Sequence, residues 1–151
     1  MRARLADRTS IGGFDAERPI SEHGSDSRSL DDAVELLRYR GSSLAHALSR
    51  LVPPAWERDG DLAPDVRAFY EFQSLVGEPW DGPSALVFAD GRHVGAALDR
   101  NGFRPARVVT TRGGVVALAS EVGILSDEHE IVDRGRLGPG EMLIEIGRAH
   151  V

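Results

Sequence analysis

Apolar positions along this chain follow two different periods, helical before residue 77 and strand-like after residue 84. Leu30, Ala33, Val34 and Leu37 recur at i, i+3, i+4 and i+7, the stripe of an amphipathic helix. Ser29 is the expected N-cap, with Asp32 three residues on in capping-box position. Leu44, Ala47, Leu48 and Leu51 make a second stripe, capped by Ser42 or Ser43 and closed by Pro53-Pro54. Pro64 opens a third helix whose expected buried face is Val66, Phe69, Tyr70, Gln73 and Val76, with Gly77 as its C-cap. Beyond it, residues 84–89 form a short apolar run without helical period and 92–98 return after Asp90-Gly91, a pair suited to a type I′ hairpin. Small side chains at Gly95, Ala96 and Ala97 leave room for close packing. A second hairpin is expected over 107–119 around Arg112-Gly113-Gly114, and two more strands over 130–136 and 141–146 flank Gly138-Pro139-Gly140. Helices first and strands afterwards predict an α+β fold with antiparallel sheet.

Composition narrows the chemistry. The 151 residues suffice for one domain with a core, and 41% hydrophobic and 28% charged residues are ordinary for a soluble protein. A formal net charge of -6 disfavours a nucleic-acid surface. No apolar run approaches the roughly 20 residues of a membrane span, and the charged first ten residues hold no signal-peptide core, so a cytoplasmic location is expected. The chain has no cysteine, which excludes a thiolate nucleophile, a disulfide and a thiolate-held metal within it. All 18 basic residues are arginine, which excludes a Schiff-base or phosphate-loop lysine. Glu22 and His23 are adjacent potential metal ligands, but two neighbours are a solvated loop far more often than a site, and no metal is expected. His46 on the second helix reads as a packing histidine.

One stretch is too polar for a plain connection. Asp99-Arg100-Asn101-Gly102-Phe103-Arg104-Pro105 joins the two hairpins, and Asn101-Gly102, the chain's lone asparagine and its neighbour, signals a turn. Arg100, Arg104 and Arg107 cluster beside Asp99, as a salt-bridge network or an interdomain contact. Asp99-x-x-Gly102-x-x-Pro105 between two strands resembles a signature of class II glutamine amidotransferases. Glu78-Pro79-Trp80-Asp81-Gly82-Pro83, Leu98 through Arg107, and Ala119-Ser120-Glu121-Val122-Gly123 together resemble the amidotransferase domain of glutamate synthase large subunits.

That resemblance implies a partial N-terminal-nucleophile hydrolase sandwich of αββα layers over residues 1–145. Residues 146–151 read as a non-native tail resembling translated sequencing adapter, to be set aside in fold reasoning. Met1-Arg2-Ala3-Arg4 resembles an internal run of the family, so Met1 is expected to be an internal residue. In the family a Cys attacks the glutamine amide, its own α-amino group serves as base, and an oxyanion hole holds the intermediate. Ammonia then converts 2-oxoglutarate to glutamate elsewhere. This fragment is expected to hold no catalytic residue and to be inactive alone. It keeps a substrate-binding loop, Gly24, Ser25 and Asp26, in which Asp26 matches the residue that binds the α-amino group of glutamine. Read without the resemblance, that loop is an ordinary capped helix start. FMN and an iron–sulfur cluster are implied for the full-length family and none for this fragment. The implied partners are glutamine, the remaining synthase domains and a small reductase subunit, with neither nucleic acid nor membrane. The alternative is a non-catalytic α+β interaction module derived from the same fold.

Overall fold

A computed structural model describes residues 24–125 and 130–146. Expectations placed on Met1, on Glu22 and His23, and on 147–151 of the expected 146–151 tail lie outside those residues, while Ile146 is described and pairs with His93. The chain divides into two compact units, Met1–Trp80 and Asp81–Val151.

The described part of the first unit is helical: α1 (Asp26–Tyr39), α2 (Leu44–Leu51), a 3₁₀ turn at Trp56–Arg58 and α3 (Pro64–Val76). The first helix starts a turn earlier than its apolar stripe predicts. Ser25 is the cap, its Oγ accepting from the Arg28 amide at 3.3 Å. Ser29, the expected cap, is wholly buried, and its hydroxyl donates back to the Ser25 carbonyl at 3.2 Å. The earlier start puts the Asp26 carboxylate in the first turn, where it complements the helix dipole. It also lets Ser29 join Ala33 and Leu36 on the inward face, its hydroxyl satisfied by its own helix.

The other end of α1 closes by a Schellman motif. Gly41, at φ +92°, donates to the Arg38 carbonyl at 2.9 Å and Ser42 donates to Leu37 at 3.1 Å. Ser43 caps α2, accepting from the His46 amide at 3.2 Å. Leu30, Ala33, Leu36 and Leu37 then bury against Leu44, Ala47, Leu48 and Leu51. Among the described residues this helix pair is the core of the unit.

The third helix has the expected bounds but not the expected burial. None of its residues is fully buried, Val66 is exposed, and Phe69, Tyr70, Gln73 and Val76 are half-covered. Among the described residues its apolar stripe is met by rings, one of them His46 of α2, more than by an aliphatic seam. Phe69 lies 5.3 Å from the His46 ring and 5.0 Å from Tyr70, and Tyr70 stacks on Trp56 at 6.2 Å. Aromatic contacts of this kind cover one edge of a helix and leave the flanks bare. Phe72 and Leu75 stay 59% and 79% exposed. Gly77 ends the helix as expected, its amide donating to the Gln73 carbonyl at 3.1 Å.

The described residues of the second unit form two three-stranded antiparallel sheets. β1 (Ala85–Ala89), β2 (His93–Leu98) and β6 (Met142–Ile146) form the first, in the order β1-β2-β6. β3 (Arg107–Thr111), β4 (Val116–Ala119) and β5 (Ile131–Arg136) form the second, in the order β4-β3-β5. Both expected hairpins form, and the last two strands pair one with each sheet. The first turn is shifted by a residue from its expected centre. Ala89 pairs with Val94 and the Asp90 amide donates to the His93 carbonyl, so the central pair is Gly91-Arg92. Asp90 is displaced from the tip because its carboxylate closes the turn instead, accepting from the Arg92 and His93 amides at 3.0 and 2.8 Å.

The small residues of β2 are explained by what crosses them. Gly95 pairs with Phe88 on one side and Ile144 on the other. A Cβ at Gly95 would collide with the Phe88 ring and the Leu143 carbonyl. The aromatic ring thus fills the space a side chain would take, as in sheets where an aromatic residue covers a cross-strand glycine. Ala96, Ala97 and Leu98 continue as the buried end of the strand. Gly95→Ala is therefore expected to destabilise the chain by about 2 kcal/mol through overpacking. Chemical denaturation would show it; an unchanged midpoint would mean that the ring moves aside freely.

Candidate functional site

The loop expected to bind substrate is the start of α1. Gly24 is half-buried, and Ser25 and Asp26 are exposed. The Ser25 hydroxyl is taken up locally, by the Arg28 amide and by the Ser27 hydroxyl at 3.0 Å. It shapes the turn ahead of Asp26, whose carboxylate lies in the first turn of α1.

The polar corner between the hairpins is built around a buried carboxylate. Asp99 is 2% exposed. Its Oδ1 accepts from the Ser84 amide and its Oδ2 from the Asn101 amide, both at 3.0 Å. Its own amide donates to the Ser84 carbonyl at 3.2 Å, and its carbonyl accepts from Gly102 at 3.0 Å and Gly140 at 2.9 Å. One residue thus joins the start of β1, the turn after β2 and the loop before β6. Gly102 is at φ +62°, and a Cβ there would approach Cγ of Pro139 to 2.8 Å. The Asp-x-x-Gly spacing reflects this: the carboxylate folds the turn back, and the glycine lets the 138–140 loop close on it. Asn101-Gly102 serves turn geometry, as expected.

The arginines near this corner do not form a network. Arg100 pairs with Asp81 at 2.9 Å on the surface, while among the described residues Arg104 and Arg107 make no ion pair. Asp99 takes its hydrogen bonds from the backbone amides of Ser84, just before β1, and Asn101, in the turn after β2. Phe103 at the tip is 71% exposed. The described residues contain no group of three or more His, Asp or Glu side chains arranged to hold a metal. None of the described helices is long and apolar enough to cross a membrane.

Two features are not visible in the sequence. The Asp99 hub is hidden because a buried carboxylate satisfied by amides has no sequence mark beyond its neighbouring glycine. The other is on the second sheet, where Arg107 faces Arg136 as a direct cross-strand partner and Arg134 faces Val109. A depression of about 400 Å³ on this sheet is lined by Arg107, Val109, Val122, Ile124, Ile131 and Arg134, among others.

Helices followed by two antiparallel sheets, joined at an Asp-x-x-Gly-x-x-Pro corner, are what a class II amidotransferase would contribute over this length. The family described as "Glutamine amidotransferases class-II" matches residues 2–150, and the chain belongs to it. It is 44% identical over 134 residues to the ferredoxin-dependent glutamate synthase of Antithamnion sp., covering 86% of this chain and 9% of that protein. It is 43% identical over 126 residues to the large chain of the NADPH glutamate synthase of Bacillus subtilis, covering 83% of this chain and 8% of that one. With the NADH glutamate synthase of Schizosaccharomyces pombe it shares 47% identity over 129 residues, 83% of this chain and 6% of the other. The chain therefore spans under a tenth of the length of these curated relatives.

The turn of the first hairpin gives a pH expectation. The His93 and Arg92 amides, and then the His93 ring at 3.2 Å, hold the Asp90 carboxyl down at about 2. A depressed carboxyl contributes stability above its ordinary value near 3.8 and loses it as the pH falls towards about 2. Carbon-detected NMR of the Asp90 carboxyl should give a midpoint well below those of exposed aspartates. A midpoint at the ordinary value would show that the turn is not closed by this side chain.

Proposed function

We propose that this chain is part of the glutaminase domain of a glutamate synthase, the enzyme that makes glutamate from glutamine and 2-oxoglutarate. The observation that carries the reading is the near-uniform likeness to glutamate synthases that draw on three different electron donors. A segment shared at that level across donors belongs to the step they have in common, release of ammonia from glutamine. Within it, Asp26 holds the α-ammonium of glutamine, Ser25 fixes the turn through the helix cap, and Gly24 lets the chain approach the ligand.

The chemistry of amide attack lies outside these residues. The route needs a thiolate, and this chain has no cysteine. An iron–sulfur cluster needs thiolate ligands as well, so the chain does not suit one, and no step here is routed through a cluster or a flavin. Those groups, a reductase subunit and a cytoplasmic setting belong to the reading of the longer enzyme. The role of this chain is to bind and orient the amino-acid end of glutamine while a nucleophile from elsewhere attacks the amide.

Two measurements check this. The purified 151-residue chain should release no ammonia from glutamine above a buffer blank; turnover that survives removal of contaminants would overturn the assignment. Joined to a Cys-initiated segment of a glutamate synthase, it should regain glutaminase activity. In that protein Asp26→Ala should weaken glutamine binding by about 2 kcal/mol, roughly thirtyfold in KM. Unchanged kinetics would remove Asp26 from the site. No activity in any such fusion would favour the non-catalytic interaction module.

A further inference from the structure

The second sheet breaks a rule of strand pairing. Opposed residues on neighbouring strands share a face roughly 5 Å apart, and like charges placed there repel. Arg107 and Arg136 are such a pair. Arg134, two residues along β5, lies on the same face, so three guanidinium groups share one side of a three-stranded sheet. None of the three has an ion-pair partner among the described residues, in a chain whose net charge is -6. A single charge suffices to blunt an exposed strand edge, and two directly opposed ones add a repulsion that blunting does not require.

The same strand is also open. In the order β4-β3-β5, β5 has a neighbour on one side only among the described residues. From Val132 to Arg136 every residue is exposed. Its free row of backbone groups is a template for another strand. The depression beside Arg107 and Arg134 is lined by apolar Val109 and Ile131 and by one carboxylate, Glu121, against two guanidinium groups.

We propose that β5 is a docking edge for an extended acidic protein segment that adds to the sheet as a further strand. Its alternate residues are carboxylates. They fall on the face carrying Arg134 and Arg136, because side chains two apart on adjoining strands share a face. Guanidinium–carboxylate pairs formed there relieve the Arg107–Arg136 repulsion, so charge and main-chain pairing act together. The inference is independent of glutamine binding, which uses the first unit.

The test uses the full chain and three synthetic peptides read by fluorescence anisotropy. The first alternates Glu and Val over seven residues, the second has the same composition with its acids contiguous, and the third is the first with alternate amides N-methylated. The alternating peptide should bind, weaken as salt rises, and lose at least about tenfold in affinity to the Arg134→Gln/Arg136→Gln chain. Arg134→Lys/Arg136→Lys should retain most of the affinity. The N-methylated peptide should fail, since it cannot complete the ladder. Equal binding of the contiguous-acid or N-methylated peptide would overturn the proposal, and so would no binding of any peptide at millimolar concentration. An oligothymidylate that bound while the peptides did not would make the face a nucleic-acid surface instead. Because the peptide comparisons use the unaltered chain, they decide the matter even if a variant fails to fold.

Discussion

A buried carboxylate must be satisfied completely or not buried at all, and Asp99 meets that demand with backbone amides. Leaving such a group short of partners costs about 1–3 kcal/mol or more. Each of its oxygens is met by an amide from a different segment, Ser84 before β1 and Asn101 after β2. Its backbone carbonyl takes Gly140 from the loop before β6. Three segments distant in sequence therefore share one anchor. Around it the Leu98 amide donates to the Glu141 carbonyl at 3.1 Å, and Leu137 donates to Ala106 at 2.8 Å. These bonds continue the ladders through the corner where the chain passes from one sheet to the other.

The anchor explains the composition of the motif. Asp is short enough to accept from the Asn101 amide of its own turn and the Ser84 amide ahead of β1 at once, where Glu would overshoot. Gly102 has to adopt a positive φ and leave space for Pro139. The arginines that look like partners of Asp99 in sequence are not needed, because long flexible cations cost side-chain entropy that backbone amides beside the strands do not. Arg100 instead closes a surface pair with Asp81.

Much of the fold was legible because periodicity is a local signal. The helix and strand runs were placed from apolar spacing, and Ser43, Gly77 and the hairpin glycines behaved as their chemistry predicts. The misreadings have physical causes. Ser29 matched a cap by its spacing, but a hydroxyl can be buried once it bonds its own helix, which freed Ser25 for the end. The tip of the first hairpin moved because Asp90 gains more by accepting amides than by occupying the turn centre. Among the described residues the third helix keeps its stripe only half-covered, by rings that include His46 of α2, which no local pattern can reveal. Of the site, Asp26 was legible only by likeness to a family, since Ser-Asp before a helix is also the commonest cap. The opposed arginines of the second sheet depend on register between strands some 30 residues apart, which composition does not encode.

Asp99 acts as a single anchor for three segments, and amide hydrogen exchange on an Asp99→Asn chain tests that most directly. One carboxamide can accept at its oxygen but presents a donor where the other amide points. The expected result is a joint loss of protection at Ser84, Asn101, Gly140 and Leu98, with the α1–α2 amides unchanged. If Ser84 or Asn101 alone lost protection while Gly140 and Leu98 kept theirs, the carboxylate would be a local turn element and the central claim would fail.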